Sequence, residues 1–216
     1  MIIFNKIKFI LLFAISITSL GCANNQNLIN DNRFLIKNFT LDQLDPQGQM
    51  HFKMSSRKAY IDPRSRDIES EDIKLILYKN NIPNILIRSD GGNFINNKQL
   101  IELNKNIRLT DINKISNYNL SADKLIWDLY RKTITISGKV ILNYNTSKLI
   151  TNQIIFDEKE EKFFISGITD YKYYNKIKDR TILQMKADRA ILDTKNNELI
   201  FESTDNRVKS ILNIEL

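Results

Sequence analysis

Three times along this chain an Asp is followed, six and eight positions later, by apolar residues, a fourth Asp has an apolar residue at the sixth position alone, and the stretch before each Asp also alternates. The strongest copies run from Ala122 to Asp128 with Ile134, Ile136 and Ser137-Gly138, and from Thr151 to Asp157 with Phe163, Ile165 and Ser166-Gly167. A third runs from Ala187 to Asp193 with Leu199 and Phe201, and a weaker fourth from Ser56 to Asp62 with Ile68. The two Ser-Gly pairs are 29 residues apart, as are their Asp residues, which points to internal duplication of one structural unit.

The unit is built for strands. Residues two apart share a face of a strand, so Leu125 points with Trp127, Ile154 with Phe156, and Ala190 with Leu192. After each Asp a polar stretch such as Glu158-Lys-Glu-Glu161 makes a turn, and a second alternating run follows. The pattern predicts a hairpin with one apolar face. Further alternating runs precede the repeats: 34–41, 50–55, 58–61, 73–78, 85–89, 94–96, 100–103 and 107–111. Turn residues punctuate them at Asp45-Pro-Gln-Gly48, Asp62-Pro63, Asn80-Asn81, Asp90-Gly-Gly92, Asn104-Lys-Asn106 and Asn196-Asn197. No amphipathic helix of useful length occurs. The expected class is all-β, made of many short antiparallel strands.

Composition narrows function. A chain of 216 residues with 42% hydrophobic and 26% charged residues suits one domain with a buried core. Cys22 is the single cysteine and His51 the single histidine, which removes a disulfide framework and a Cys-based zinc site. No nucleophile with a partner base and no phosphate-cradling glycine loop is present, and Asp62, Asp128, Asp157 and Asp193 stand where turns need Asp. A binding protein without cofactor or metal is expected, not an enzyme. The net charge of +7 falls to +5 without Lys6 and Lys8, and Lys recurs singly along the strands, unlike the basic stripe of a nucleic-acid protein.

The first 22 residues read as an export signal. Lys6 and Lys8 precede an apolar run from Phe9 to Leu20, then Gly21 and Cys22. The run is shorter than the roughly 20 residues of a spanning helix. Ser19-Leu20-Gly21-Cys22 is similar to a bacterial lipobox, with Ser19 where Leu is usual. Three readings stand: a lipid anchor on Cys22, an uncleaved short anchor, and a plain signal peptide. The expected division is a signal at 1–21, a polar tether at 22–32 and a β-domain at 33–216, on the outer side of the plasma membrane.

One face of the strands collects Leu75, Leu77, Leu103, Ile107, Leu109, Leu125, Trp127, Ile134, Ile136, Val140, Leu142, Phe163 and Ile165. Either a second sheet seals this face as an ordinary core, or the sheets stay apart along a seam and leave a trough for acyl chains. Alternation does not choose between them. An open wall would tolerate Arg at Leu103 or Ile136, because a long side chain carries its charge to water.

Three stretches carry a family resemblance: 39–48 leading into Ser56-Arg-Lys-Ala59, 100–109, and 122–142. Together with an anchored N-terminus they resemble the OstA-like lipopolysaccharide transport family, LptC-type members above all. The middle stretch is similar to a Leu-x-Leu-x-x-x-Val-x-Leu hairpin with Ile107 in place of Val. The resemblance implies a twisted, partly open β-jelly roll that takes lipopolysaccharide from an inner-membrane ABC permease and passes it to a periplasmic bridge of like fold. It also implies joining through edge strands, here the opening strand with Phe34 and Ile36 and the closing strand with Val208 and Ile211. A Tyr- and Lys-rich insertion at 171–178 departs from the pattern and reads as a solvated loop or a grip on phosphates. The rival function is a periplasmic scaffold or chaperone lipoprotein that binds protein, not glycolipid.

Overall fold

The computed structural model describes residues 32–112, 118–144, 146–175, 180–193, 196, 198–203 and 209–213. Cys22 and the segment expected to be an export signal lie outside these residues. Twelve antiparallel strands follow one another: β1 (Phe34–Leu44), β2 (Met50–Ile61), β3 (Ile68–Lys79), β4 (Ile82–Ile95), β5 (Leu100–Asp111), β6 (Tyr118–Asp128), β7 (Thr133–Tyr144), β8 (Ser147–Asp157), β9 (Lys162–Asn175), β10 (Arg180–Asp193), β11 (Glu198–Glu202) and β12 (Lys209–Asn213). A single turn of 3-10 helix, Asn96–Lys98, joins β4 to β5. Neighbours in sequence are neighbours in one sheet, with β1 and β12 at its two edges.

The strands are longer than their sequence suggests, because most carry an irregularity near the middle. Pairing skips residues between Arg88 and Gly91, Asn104 and Ile107, Ser121 and Lys124, and Ser137 and Val140. Asn38, Asp72, Lys105, Asn106, Lys139, Gly138 and Gly167 adopt positive φ along this line. Such bulges bend a strand and re-aim its side chains. On β2 the buried positions change from Phe52 and Met54 to Ala59, and on β4 from Ile87 to Gly92 and Phe94. The apparent turns at Asp90-Gly-Gly92 and Asn104-Lys-Asn106 are therefore bends inside β4 and β5. The stretch 100–109 is one bent strand, not a hairpin.

Bending along a common line doubles the sheet over. Phe52 on β2 meets Trp127 on β6 with ring centroids 5.4 Å apart, although three strands lie between them in sheet order. In a flat sheet four steps of about 4.8 Å would hold them near 19 Å. Each strand thus gives one half to a layer that ends at the Asp turns and the other half to a far layer, and apolar side chains fill the space between. This is an all-β jelly roll whose two edge strands do not pair with each other among the described residues.

The repeat acquires a physical meaning here. Each copy begins at the bend, runs to the Asp turn and returns to the bend on the next strand. The turn Asp works as a cap: Asp62 Oδ1 accepts from the Arg64 and Ser65 amides, Asp128 Oδ1 from Arg131, Asp157 Oδ1 from Lys159 and Glu160, and Asp193 Oδ1 from Asn196. Just before the bend stand Ser56, Ser89, Ala122 and Thr151, small and buried, where the inside of a fold leaves little room. Ser89 reveals a fifth copy, with Gly92, Phe94, Ile101 and Leu103 at the same intervals, which the search from Asp hides because Ile95 stands where the other copies carry Asp. Its hydroxyl donates to the Asn104 carbonyl at 2.8 Å, and Thr151 Oγ1 to the Ser166 carbonyl at 2.6 Å, which satisfies carbonyls beside the bend.

Candidate functional site

Strand register turns the alternating residues into ladders that cross the sheet. In the Asp-turn layer one ladder runs Ile61, Ile68, Phe94, Ile101, Trp127, Ile134, Phe156, Phe163, Leu192, Leu199, each directly opposite the next. A second runs from Ala59 through Ser70, Gly92, Leu103, Leu125, Ile136, Ile154, Ile165 and Ala190 to Phe201. The far layer supplies a third, from Leu41 through Leu75, Leu109, Leu142 and Tyr171 to Met185. Ten strands at about 4.8 Å spacing make each ladder roughly 43 Å long. The apolar interior is a band lying across the strands.

All thirteen apolar residues expected on one face do line this band. Leu75, Leu103, Ile107, Leu125 and Val140 are fully buried, and Trp127, Ile136 and Ile165 nearly so. Leu77, Leu109, Ile134, Leu142 and Phe163 are only partly buried and pack on the others from the rim. The centre is filled side chain against side chain, so the layers touch there. This corrects the expectation that Arg at Leu103 or Ile136 would reach water: Leu103 has no exposed surface, and a charge there would be buried without a partner. Tolerance belongs to the rim.

Trp127 is held at both ends. Its indole N–H donates to Glu158 Oε1 at 2.9 Å, and its ring meets Phe52 and, edge-on at 5.2 Å, His51. Ser70 Oγ, also facing inward, has no hydrogen-bond partner. The sheet leaves it beside Gly92, where a Cβ would lie 2.2 Å from the Glu102 carbonyl oxygen. Small residues thus thin the ladder at β2 to β4, and bulky ones fill it from β5 to β9.

Among the described residues both edges are open. β1 pairs with β2 alone, and at its start Phe34, Leu35 and Ile36 are 61%, 51% and 39% exposed. Arg33 anchors this start through an ion pair with Glu69 and by lying over the Tyr60 ring, 5.2 Å from its centroid. β12 pairs with β11 alone, with Ile211 opposite Ile200. Val208 lies outside the described residues.

The insertion at 171–178 is not a loop in its described part. Residues 171–175 continue β9 and pair with β10, and Tyr171 is buried against Phe201 at 5.1 Å. Residues 176–178 lie outside the described ones. Lys172 Nζ is 2.9 Å from Asp170 Oδ2, and that hydrogen bond, with a second from Gln184, holds the Asp170 carboxyl below its ordinary pKa. A hollow of about 290 Å³ opens at the bend of β1 to β3, where Arg57 is paired with Asp72 at 2.6 Å. Among the described residues no group of three metal-ligating side chains occurs, and no helix is long and apolar enough to cross a membrane.

The basic residues are not all spread singly. Lys74, Arg88 and Arg108 stand directly opposite one another on β3, β4 and β5, on the outer face.

The family model described as lipopolysaccharide-assembly, LptC-related, matches residues 8–175 of this chain, from Lys8 just before the N-terminal apolar run to the end of β9. No curated protein matches the chain.

Proposed function

This chain belongs to the LptC-related lipopolysaccharide-assembly family, and from that membership we propose that it carries the acyl chains of lipopolysaccharide between the two layers of its folded sheet. Membership makes it a lipopolysaccharide transport component associated with the periplasmic side of the inner membrane. The observation that supports an interior carrier is the pair of outer ladders, apolar at every step across ten strands of a sheet whose edges are unpaired among the described residues. A band of this kind lets a chain slide across strands without meeting a polar barrier, while phosphorylated sugars stay in water beyond the rim. Transfer then needs no bond to be made or broken.

Acyl chains enter at the half-exposed rim, at Leu77, Leu109, Leu142, Ile134 and Phe163, and spread the layers at the thin end where Ala59, Ser70 and Gly92 leave the least side chain to displace. The cost of parting apolar contacts is offset by burying the fatty tails in their place. The exposed start of β1, with Phe34 and Ile36, receives the ABC permease, and the β12 edge with Ile211 meets a like-folded bridge by strand addition. The N-terminus holds the body at the membrane, through Cys22 if it is acylated.

The test places a photoreactive residue at Leu142 or Phe163 in the full chain, in cells making lipopolysaccharide. Crosslinks to lipopolysaccharide at both rim positions, and none from the outward position Asn143, are expected. Crosslinks only to protein would replace the carrier by the scaffold reading. Co-purification with an inner-membrane ABC permease, lost on Phe34→Ser with Ile36→Ser, checks the edge assignment.

A further inference from the structure

We propose that the outer face of β3, β4 and β5 is a docking surface for anionic phospholipid headgroups, centred on the row Lys74, Arg88, Arg108. Register puts Lys74 opposite Arg88 and Arg88 opposite Arg108, with Ser55 and Ser121 at the two ends. All three side chains are exposed. Among the described residues none has an ion pair or a side-chain hydrogen bond, in contrast to Lys53 and Arg57, which are paired with Asp42 and Asp72. The carboxylates nearest along β3 and β4 are engaged elsewhere: Asp72 with Arg57, and Asp90 as acceptor from Asn106 Nδ2 at 2.6 Å.

Like charges directly across a ladder repel and lower stability, so a sheet that merely needed solubility would alternate their signs. Three in a line, about 4.8 Å apart at the backbone, form a flat strip of positive potential about 10 Å wide. The next outward row places Ile76 opposite Leu86, both half-exposed, beside the cations. Cations with an adjoining apolar row suit a surface that offers phosphates above hydrocarbon, and the two guanidinium forks match phosphate oxygens. The same strands turn Leu75, Ile87 and Leu109 to the interior, so a molecule in the apolar band cannot reach this row through the sheet. The surface is thus separate from the carrier band and does not depend on it. Lying on the membrane by this face would keep the body low against the bilayer, with the β12 edge free.

The experiment reconstitutes the full chain, with a photoreactive residue at the outward Thr110, in phosphatidylcholine vesicles with and without phosphatidylglycerol. Lipid labelling is expected with phosphatidylglycerol, weak without it, and reduced about fivefold per cation on removal of Lys74, Arg88 and Arg108 by Ser substitution at low salt. Raised salt should have a similar effect. The triple variant should melt no lower than the parent, since it loses only repulsion. Equal labelling in both vesicles, or labelling unchanged in the triple variant, overturns the proposal. So does labelling abolished by inorganic pyrophosphate at constant ionic strength, which marks a small-anion site, and so does labelling of protein in place of lipid.

Discussion

Asp123 lies against Gly138 across the bend of β6 and β7, so closely that a Cβ on Gly138 would fall 2.8 Å from Asp123 Oδ2. Gly138 also has φ +77°, a conformation that costs other residues energy. Gly167 repeats the arrangement with Asn152, 2.5 Å from its Nδ2. The Ser-Gly of the repeat is therefore the hinge of the folded sheet. Gly138→Ala should cost about 1 to 3 kcal/mol in urea unfolding. Gly48→Ala, also at positive φ but with open space around it, should cost about 1 kcal/mol. Equal losses would mean that the contact with Asp123 adds nothing.

Leu103 and Leu142 occupy the same interior at different depths. Leu103→Ala removes a fully buried side chain and should cost about 2 to 5 kcal/mol, whereas Leu142→Ala at the rim should cost about half as much. Leu103→Arg should leave the chain unfolded and Leu142→Arg should leave it folded. Circular dichroism and denaturant melts separate these outcomes, and folded Leu103→Arg would point to an interior already open to water.

Trp127 is the only tryptophan and is 2% exposed, which makes it a native reporter. Its emission should be blue-shifted in the folded chain and move to the red on unfolding. Lipopolysaccharide with brominated acyl chains should quench it, and the unbrominated lipid should not. Trp127→Phe should lose about 1 kcal/mol or more with the Glu158 hydrogen bond. Binding without quenching would place the lipid outside the ladders.

Asp62 titrates with the fold. The amides of Ser65 and Arg64 donate to its carboxylate and hold its pKa below the ordinary value. A depressed folded pKa gives stability that is complete above about pH 4 and is lost as the pH falls through the folded value. Asp62→Ala should therefore lower the urea midpoint at neutral pH, and the gap to the parent should close in acid. A gap that persists at low pH would assign the effect to turn geometry, not to the charge.

Much of this architecture is written in local spacing. Alternation at Leu125-Trp127 and Ile134-Ile136 gives strands and the apolar face, and Asp128 gives the turn, because side-chain direction and turn chemistry depend only on neighbouring residues. At Asp90-Gly-Gly92 and Asn104-Lys-Asn106 local sequence reads as a turn where the strand bends, since Gly and Asn serve both. The copy that begins at Ser89 keeps the spacing but has Ile95 in place of the turn Asp, so the Asp pattern does not reveal it. Lys74, Arg88 and Arg108 are 14 and 20 residues apart, and no spacing rule joins them.

What the sequence determined by itself is the all-β class, the repeated unit, the Asp-capped turns and the thirteen residues of the apolar face, all consequences of period-two alternation. Only the tertiary structure decided that the sheet folds over along its bulges, which bring Phe52 onto Trp127 and bury Leu103. It also decided which cations share a row. Both depend on register and on where bulges interrupt it, and register is fixed by the packing of a whole face, not by any one strand.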